Sequence, residues 1–373
     1  MKKRVIYIFI GTTAELIKLA PVIKKLKRGE INLKIITSGQ NFVNFKELKP
    51  LTGVEAPYNA LKYKPVNNSL GIYLRFSFWL LKALINNLLY FRNEFRELDR
   101  KNTFFIVHGD TISALLGAII AKIFALKLVH IESGYRSFNF LEPFPEELCR
   151  YLVSHMADIL FCPNDWCLNN VRTSKAIKFS TGQNTVYESC MNALKLKTST
   201  KYLSSLKKNK FYLLIMHRQE HMLFKKQVTK KYLNLLIPYA KSNLKCVFVL
   251  HPLTENFLKA ENLLDKIKKN PNIIILPRIP HAEFMKILSR CEFIATDGGS
   301  NQQEAYYLGK PCILLRKYTE QIEGLYSNAV LAKDDPNIVK NFLANYKSKN
   351  SKRVFLRTPP SKIIVDTLME NFK

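Results

Sequence analysis

Three carboxylates stand where two neighbouring strand-like runs end and the next helix begins. Asp110 follows the run FFIVHG, Glu132 follows LVHI, and Glu146 comes directly after Pro145. Parallel strands place their carboxyl ends at one edge of a sheet, where α/β proteins bind ligands. Carboxyl groups gathered there are suited to taking and returning protons. The spacing indicates acid–base chemistry, although Glu146 and Glu147 also fit simple helix-start charges.

A second polar set follows strand-like runs in the C-terminal half. His217 and Arg218 come after YLLIM, the turn Asp297-Gly298-Gly299-Ser300 precedes a helix that carries Glu304, and Glu320 follows another apolar run. Glycines before a helix start present free N–H groups to phosphates. His and Arg add positive charge, and a glutamate can accept from ribose hydroxyls. These residues predict a site for a nucleoside diphosphate whose attached group reaches the carboxylates.

Strands and helices must alternate to place both sets. Val5–Ile10 is an apolar run that ends at Gly11 and leads into a helix start, and this alternation continues along the chain, with one helix predicted over Asn256–Lys268. A basic, polar stretch after Ala193 is interpreted as a linker. We predict an α/β protein of two doubly wound domains, residues 1–195 and 206–358, facing across a cleft. Residues 359–373 are expected to form a helix packing back across the domain junction.

The composition indicates which class of protein the chain belongs to. The 373 residues are 47% hydrophobic and 23% charged, which is typical of a globular protein of two domains. Seven scattered cysteines include no C-x-x-C pair, so we expect a reduced, cytoplasmic protein without a disulfide framework or a metal site. No signal peptide is expected at the N-terminus.

The net charge of +29 is large, but the lysines are spread along the whole chain. No nucleic-acid-binding signature accompanies them, so nucleic acid is not the expected partner. Phosphorylated ligands, and peripheral contact with the anionic inner face of a membrane, make better use of this charge.

The stretch Tyr73–Phe91 is almost wholly apolar, but Arg75 and Lys82 argue against a membrane-spanning helix. One interpretation is a helix packed between the sheet and a neighbour such as a dimer partner. The other is a helix lying in a membrane interface, with Phe76, Phe78 and Trp79 as its anchors.

Taken in order, seven motifs resemble those of the UDP-N-acetylglucosamine 2-epimerases: GTTAELIKLAPVI, VHGDT, HIESGYRS, PFPEELCR, TGQNTV, HRQEH and TDGGSNQQEAYYLGKP. The resemblance implies a GT-B fold, a homodimer, no cofactor, and a UDP-activated amino sugar as ligand. It implies elimination of UDP to a 2-acetamidoglucal and re-addition with inverted C2, or hydrolysis to N-acetylmannosamine and UDP, in the biosynthesis of surface polysaccharide such as capsule.

The resemblance also implies roles for individual residues. The expected catalytic residues are Asp110, Glu132, Glu146, Arg150 and His217. The residues expected to bind the nucleotide and substrate are Thr13, Lys18, Arg218, Gly298, Gly299, Ser300, Glu304 and Glu320.

The nucleotide positions depart from the family pattern. Thr13 and Ala14 replace an arginine and a proline, Gln321 replaces an arginine, and the usual Ser-Gly-Gly stands as Gly298-Gly299-Ser300. This indicates retained proton chemistry with a changed nucleotide or sugar. A GT-B glycosyltransferase at the membrane surface and a non-catalytic relative are the alternatives.

Overall fold

Each half of the chain forms its own parallel β-sheet covered by helices. The computed structural model describes residues 5–29, 31–60, 72–96, 98–140, 142–198, 201–206 and 209–370. One compact unit combines Met1–Ser189 with Arg357–Lys373, and the other is Cys190–Leu356.

The first unit has seven parallel strands in the order β3-β2-β1-β4-β5-β6-β7. These strands are β1 Val5–Ile10, β2 Asn32–Thr37, β3 Asn59–Ala60, β4 Thr103–His108, β5 Lys127–Ile131, β6 Ile159–Cys162 and β7 Ile177–Ser180. Its helices are α1 Thr13–Leu26, α2 Phe45–Thr52, α3 Ile72–Glu94, α4 Ile112–Ile123, α5 Glu146–Met156 and α6 Asp165–Asn170. Every residue of β1 and β4 is buried, as expected for strands covered on both faces.

The helix α7, Val186–Lys195, contains the boundary with the second unit, which has six parallel strands in the order β10-β9-β8-β11-β12-β13. Its helices and strands are α8 Lys201–Ser205, β8 Phe211–Ile215, α9 Gln219–Leu223, α10 Lys226–Tyr239, β9 Lys245–Val249, α11 Pro252–Ala260, α12 Leu264–Lys269, β10 Ile273–Leu276, α13 His281–Leu288, β11 Ile294–Thr296, α14 Gly299–Leu308, β12 Cys312–Leu314, β13 Ala329–Leu331 and α15 Pro336–Asn345. The last helix, α16 Pro360–Glu370, belongs to the first unit, where it contacts α1.

Strand order reverses at one point in each sheet, between β1 and β4 and between β8 and β11. Ligands of doubly wound sheets bind at such points, outside the carboxyl ends of the strands. In the first sheet His108 pairs with Ile131, so Asp110 and Glu132 leave adjacent strands at the same edge. The predicted α/β class with two doubly wound sheets is confirmed.

The apolar helix α3 packs one face against the first sheet. Phe91 and Ala83 are buried in the core with Tyr7, Phe9 and Phe105 of the strands, and the rings of Phe91 and Phe105 meet edge to face, 5.7 Å apart. Aromatic contacts of this kind add to the stability of the buried area. The side chains of the anchors proposed for a membrane, Phe76, Phe78 and Trp79, lie outside the described residues. Within the described part of the chain, no helix has the length and apolarity needed to cross a membrane.

The prediction of a single helix over Asn256–Lys268 is wrong. The structure has α11 and α12 instead, separated by a break at Asn262, whose φ is +56°. This left-handed backbone interrupts the helix, and asparagine is among the few non-glycine residues that adopt it readily.

Candidate active site

Asp110 stands just after the tight turn that follows β4. Gly109 makes this turn with a φ of +65°, a conformation that favours a residue without a Cβ. Thr111 then caps the N-terminus of α4. Asp110 is partly exposed, and its Oδ2 forms an ion pair with Nη2 of Arg150 from α5. The carboxylate is thus available to a ligand while a buried guanidinium holds it in place.

Glu132 follows β5 with a left-handed φ of +67°, and its side chain is buried. Lys18 Nζ from α1 forms an ion pair with Glu132 Oε1 at 2.7 Å, and Asn184 Nδ2 donates to Oε2 at 2.5 Å. Burial opposes ionisation of this carboxyl, but the positive charge of Lys18 leads the effects that keep the pKa of Glu132 below its ordinary value. Glu132 is therefore a buried carboxylate that is ionised at neutral pH.

A buried histidine precedes each of these carboxylates by two residues. His108 Nε2 lies 3.6 Å from Glu132 Oε2, and His130 Nε2 lies 2.7 Å from the carbonyl oxygen of Gly109. Burial lowers the pKa of each imidazole to about 4, so both are neutral at pH 7. His130 accordingly donates its N–H to Gly109 and braces the turn that leads to Asp110.

Glu147 holds the arginines beside Asp110. It is fully buried, accepts from Arg136 Nε at 2.5 Å and from Ser137 N at 3.0 Å, and forms an ion pair with Arg150 Nη1. Because Arg150 contacts both Glu147 and Asp110, the three side chains form one chain of charges. A simple helix-start charge is one of the two interpretations that the sequence allows for this residue. The signal for its actual contacts is its spacing of three residues before Arg150 on the same helix.

Glu146 lies in the first turn of α5 and is half-buried, whereas its neighbour Glu147 is inaccessible. Adjacent residues on a helix point in directions about 100° apart, which separates the environments of the two carboxylates. Glu146 is therefore the more accessible of the pair, as its expected role in catalysis requires.

Helix α1, which follows β1, carries the remaining predicted residues of the first unit. Thr13 begins α1 partly exposed, and Lys18, expected to bind the nucleotide or substrate, forms an ion pair with Glu132. Glu15, not predicted to be part of the site, is buried: its Oε2 accepts from Gly11 N at 2.9 Å and its Oε1 from Thr111 Oγ1 at 2.9 Å. Glu15 thereby ties the loop after β1 to the residue next to Asp110.

Burial raises the pKa of Glu15 to about 7, although its hydrogen bonds act in the opposite direction. An ionised Glu15 therefore costs the folded state stability as pH rises from its unfolded pKa, near 4.5, through 7. We expect wild type to lose on the order of 3 kcal/mol of unfolding free energy between about pH 5 and pH 8, relative to Glu15→Gln, which stays neutral. Urea denaturation of both proteins across this range measures the difference, and parallel curves would contradict the expectation.

In the second unit, Asp297 joins the loops after β8 and β11. Its buried carboxylate accepts from the main-chain N–H groups of His217 and Arg218 at 2.9 and 3.0 Å, and His221 Nδ1 lies 3.1 Å from Oδ2. Burial works against ionisation, yet contacts with His217 first, and with His221, hold the pKa of Asp297 well below its usual range. The sequence places Asp297 in the turn before α14 but does not predict its contacts with His217, Arg218 and His221.

Glu304, predicted to bind ribose, lies nearly buried on α14. His281 Nε2 is 3.0 Å from its Oε1, and Asn301 Nδ2 donates to its Oε2 at 2.9 Å. Two side chains thus orient the carboxylate, and neither was predicted. The contact with His281 could not be read from local sequence, because His281 lies on α13, more than 20 residues away.

The other predicted residues cluster around the first turn of α14. Glu320 is buried between two guanidinium groups, accepting from Arg316 Nη2 at 2.8 Å, with Arg218 Nη2 3.8 Å from Oε1. A Cβ on Gly299 would stand 3.1 Å from Glu320 Oε1, so the glycine allows this close approach. Ser300, in the same turn, is half-buried. Each unit therefore groups its own predicted residues at the switch point of its sheet.

No metal site is evident in the described part of the chain, where no group of three or more His, Cys, Asp or Glu side chains is arranged to hold an ion. All seven cysteines are buried as free thiols.

Comparisons with known proteins give consistent results. The sequence model of the UDP-N-acetylglucosamine 2-epimerase family matches residues 94–368. A UDP-N-acetylglucosamine 2-epimerase homolog of Methanococcus maripaludis is 31% identical over 348 residues, covering 89% of this chain and 90% of the relative. The UDP-2,3-diacetamido-2,3-dideoxy-D-glucuronate 2-epimerase of Pseudomonas aeruginosa is 30% identical over 222 residues, 58% of this chain and 60% of the relative.

Among solved structures, Methanocaldococcus jannaschii UDP-GlcNAc 2-epimerase in complex with UDP-GlcNAc and UDP matches with a TM-score of 0.83 and 28% identity, covering 98% of this chain and 99% of that one. The chain belongs to the UDP-N-acetylglucosamine 2-epimerase family and has its GT-B type of fold.

Proposed function

We propose that this protein is a UDP-N-acetylglucosamine 2-epimerase, which inverts C2 of the sugar through transient loss of UDP. The observation that carries the proposal is Glu132, a buried carboxylate kept ionised by Lys18, in a family that acts on C2. Its Oε1 lies 3.6 Å from where a Cβ of Gly109 would stand, next to Asp110. A general base and a general acid are what inversion at carbon needs.

The proposed reaction runs in two balanced steps. A carboxylate takes the proton from C2, the C–H electron pair forms the C1=C2 bond, and the C1–O bond breaks with its electrons leaving on UDP. The products are UDP and a 2-acetamidoglucal. A second carboxyl group then protonates the opposite face of C2 while a UDP oxygen re-forms the bond to C1. We assign these proton transfers to the set Asp110, Glu132 and Glu146, with Arg150 orienting Asp110.

We assign UDP to the second unit. The N-terminus of α14 presents N–H groups after Gly298 and Gly299, and the side chains of His217 and Arg218 follow the neighbouring strand β8. Helix N-termini and cationic side chains favour phosphate. Glu304, oriented by His281 and Asn301, is the proposed ribose acceptor.

Proton NMR of UDP-N-acetylglucosamine with the protein in heavy water tests the proposal. The expected result is deuterium at C2 of the sugar together with the appearance of UDP-N-acetylmannosamine. Free N-acetylmannosamine and UDP would identify the hydrolysing reaction instead. The absence of both C2 exchange and UDP release would exclude an epimerase. Transfer of intact sugar to an acceptor would establish a glycosyltransferase. The diacetamido uronate sugar of the Pseudomonas relative belongs in the same panel.

A homodimer formed through the outer face of α3 is also proposed. Leu81, Ile85 and Leu89 recur every four residues and are 55%, 49% and 60% exposed, which makes one apolar stripe on the helix. Lys82 and Arg92 flank the stripe. The same stripe and the net charge of +29 are what peripheral contact with the anionic inner face of a membrane would use. A cytoplasmic enzyme supplying surface polysaccharide fits either arrangement.

Ile85→Glu is expected to convert the dimer to a monomer, because the interface would have to bury an unpaired charge. Sedimentation velocity measures the change. Phe355→Ser, which alters an apolar side chain that is 86% exposed in the other unit, is the control and should leave the dimer intact. A wild-type monomer that sediments with anionic vesicles would replace the dimer with the membrane contact.

A further inference from the structure

The imidazole of His217 lies against two neighbours that follow β11. Its Nδ1 is 3.2 Å from Oδ1 of Asp297, while the main-chain N–H of His217 donates to the same carboxylate at 2.9 Å. Asp297 thus contacts this residue at both main chain and ring. The ring itself remains partly exposed, with 41% of the side chain accessible.

The carboxylate is locked in this orientation from its other side. His221 is 1% exposed, and its Nδ1 lies 3.1 Å from Asp297 Oδ2. Thr229 donates to the carbonyl oxygen of His221 at 2.9 Å, which ties that residue to α10. With one imidazole at each oxygen, Asp297 cannot rotate without losing a contact.

Gly298 leaves the space that the ring of His217 occupies. A Cβ on Gly298 would stand 2.9 Å from His217 Cε1 and 2.7 Å from Asn301 Oδ1. Carbon atoms do not pack at such distances, so a side chain here would have to displace the ring or the amide. Both are ends of side chains, so the displacement costs little stability but moves His217.

We propose that Asp297 is a positioning residue and that Gly298 is its required partner. Together they hold the ring of His217 with Nδ1–H toward Asp297. Nε2 is then the ring atom that meets the diphosphate at the N-terminus of α14. The inference rests on the proposed function. To donate to a phosphate oxygen, Nε2 must carry a proton while Nδ1–H stays on Asp297, and the carboxylate balances the charge of that imidazolium. Asp297 itself touches no substrate.

Nitrogen-15 NMR of histidine-labelled protein without ligand tests the positioning directly, with the His217 signals assigned by their loss in His217→Gln. Neutral His217 should be the Nδ1–H tautomer. In Gly298→Ala the preference for this tautomer should weaken. The Kd for UDP should rise at least about tenfold, because one charge-assisted hydrogen bond is lost. Tm should change by no more than about 2 °C. Gly29→Ala, whose Cβ would meet nothing closer than 3.5 Å, is the matched control.

Asp297→Asn should shift the tautomer of His217 and lower the affinity for UDP in the same way. Glu283→Gln is the control for the loss of a buried carboxyl group in the same unit. If Asp297→Asn does not fold, the wild-type tautomer and Gly298→Ala still decide the matter. A wild-type Nε2–H tautomer, or Gly298→Ala with wild-type affinity, overturns the inference. If wild type binds no UDP, the proposed function fails, and the tautomer still reports the positioning of His217 separately.

Discussion

Replacing Glu132 with Gln is expected to slow C2 proton exchange by about a thousandfold, because the amide cannot accept the proton. Gln has nearly the shape of Glu and keeps one oxygen that can accept from Asn184, so the turn after β5 should hold its position. Exchange is measured by proton NMR in heavy water, and UDP affinity by calorimetry. We expect UDP affinity to stay within about threefold of wild type, since UDP is assigned to the second unit.

The same substitution leaves Lys18 buried without its ion pair. Removing one partner of a buried pair costs about 3–5 kcal/mol, so the unfolding free energy should fall by that order. Adding Lys18→Met removes the stranded charge. The double variant should therefore regain most of the stability and none of the exchange activity, which separates the proton chemistry from the stability of the unit.

Glu94→Gln is the matched control, because it breaks a second lysine–glutamate pair of the first unit, the partly buried pair with Lys34. It should leave exchange unchanged. If Glu132→Gln exchanged C2 hydrogen at the wild-type rate, the assignment of Glu132 to proton transfer would be wrong. If Glu94→Gln slowed exchange equally, the loss would reflect the unit's stability.

Glu147→Gln should lower the unfolding free energy by about 3–5 kcal/mol, because it removes the buried carboxylate that pairs with both Arg136 and Arg150. Glu147 also anchors the guanidinium of Arg150 beside Asp110, so without that anchor the geometry at Asp110 should change and activity should fall as well. Urea denaturation measures the first effect, and C2 exchange at a temperature where the variant is folded measures the second.

Glu146→Gln is the comparison that the chain itself offers, one residue away. Glu146 is half-buried and Glu147 is inaccessible, so Glu146→Gln should lower the unfolding free energy by less than Glu147→Gln does. Its effect should instead be on exchange, by about a hundredfold or more. A destabilised Glu146→Gln beside a stable Glu147→Gln would reverse the roles of the two glutamates.

Local pattern was sufficient for the elements and for the edge of the sheet that carries the chemistry. Buried parallel strands are continuous apolar runs, and glycines or polar residues end them, so Val5–Ile10 was predicted with the bounds observed. Helix breaks that depend on one residue's backbone are harder to predict, and Asn262 was missed for this reason.

By itself, therefore, the sequence determined two doubly wound sheets, the carboxylates Asp110 and Glu132 at adjacent strand ends, and the family of the protein. Only the tertiary structure decided which charges meet: Lys18 with Glu132, and Glu147, not Glu146, with Arg136 and Arg150. The physical reason is that strand and helix patterns arise from neighbours in sequence, whereas an ion pair needs two side chains brought together by packing. Lys18 and Glu132 are 114 residues apart, and no local pattern contains that distance.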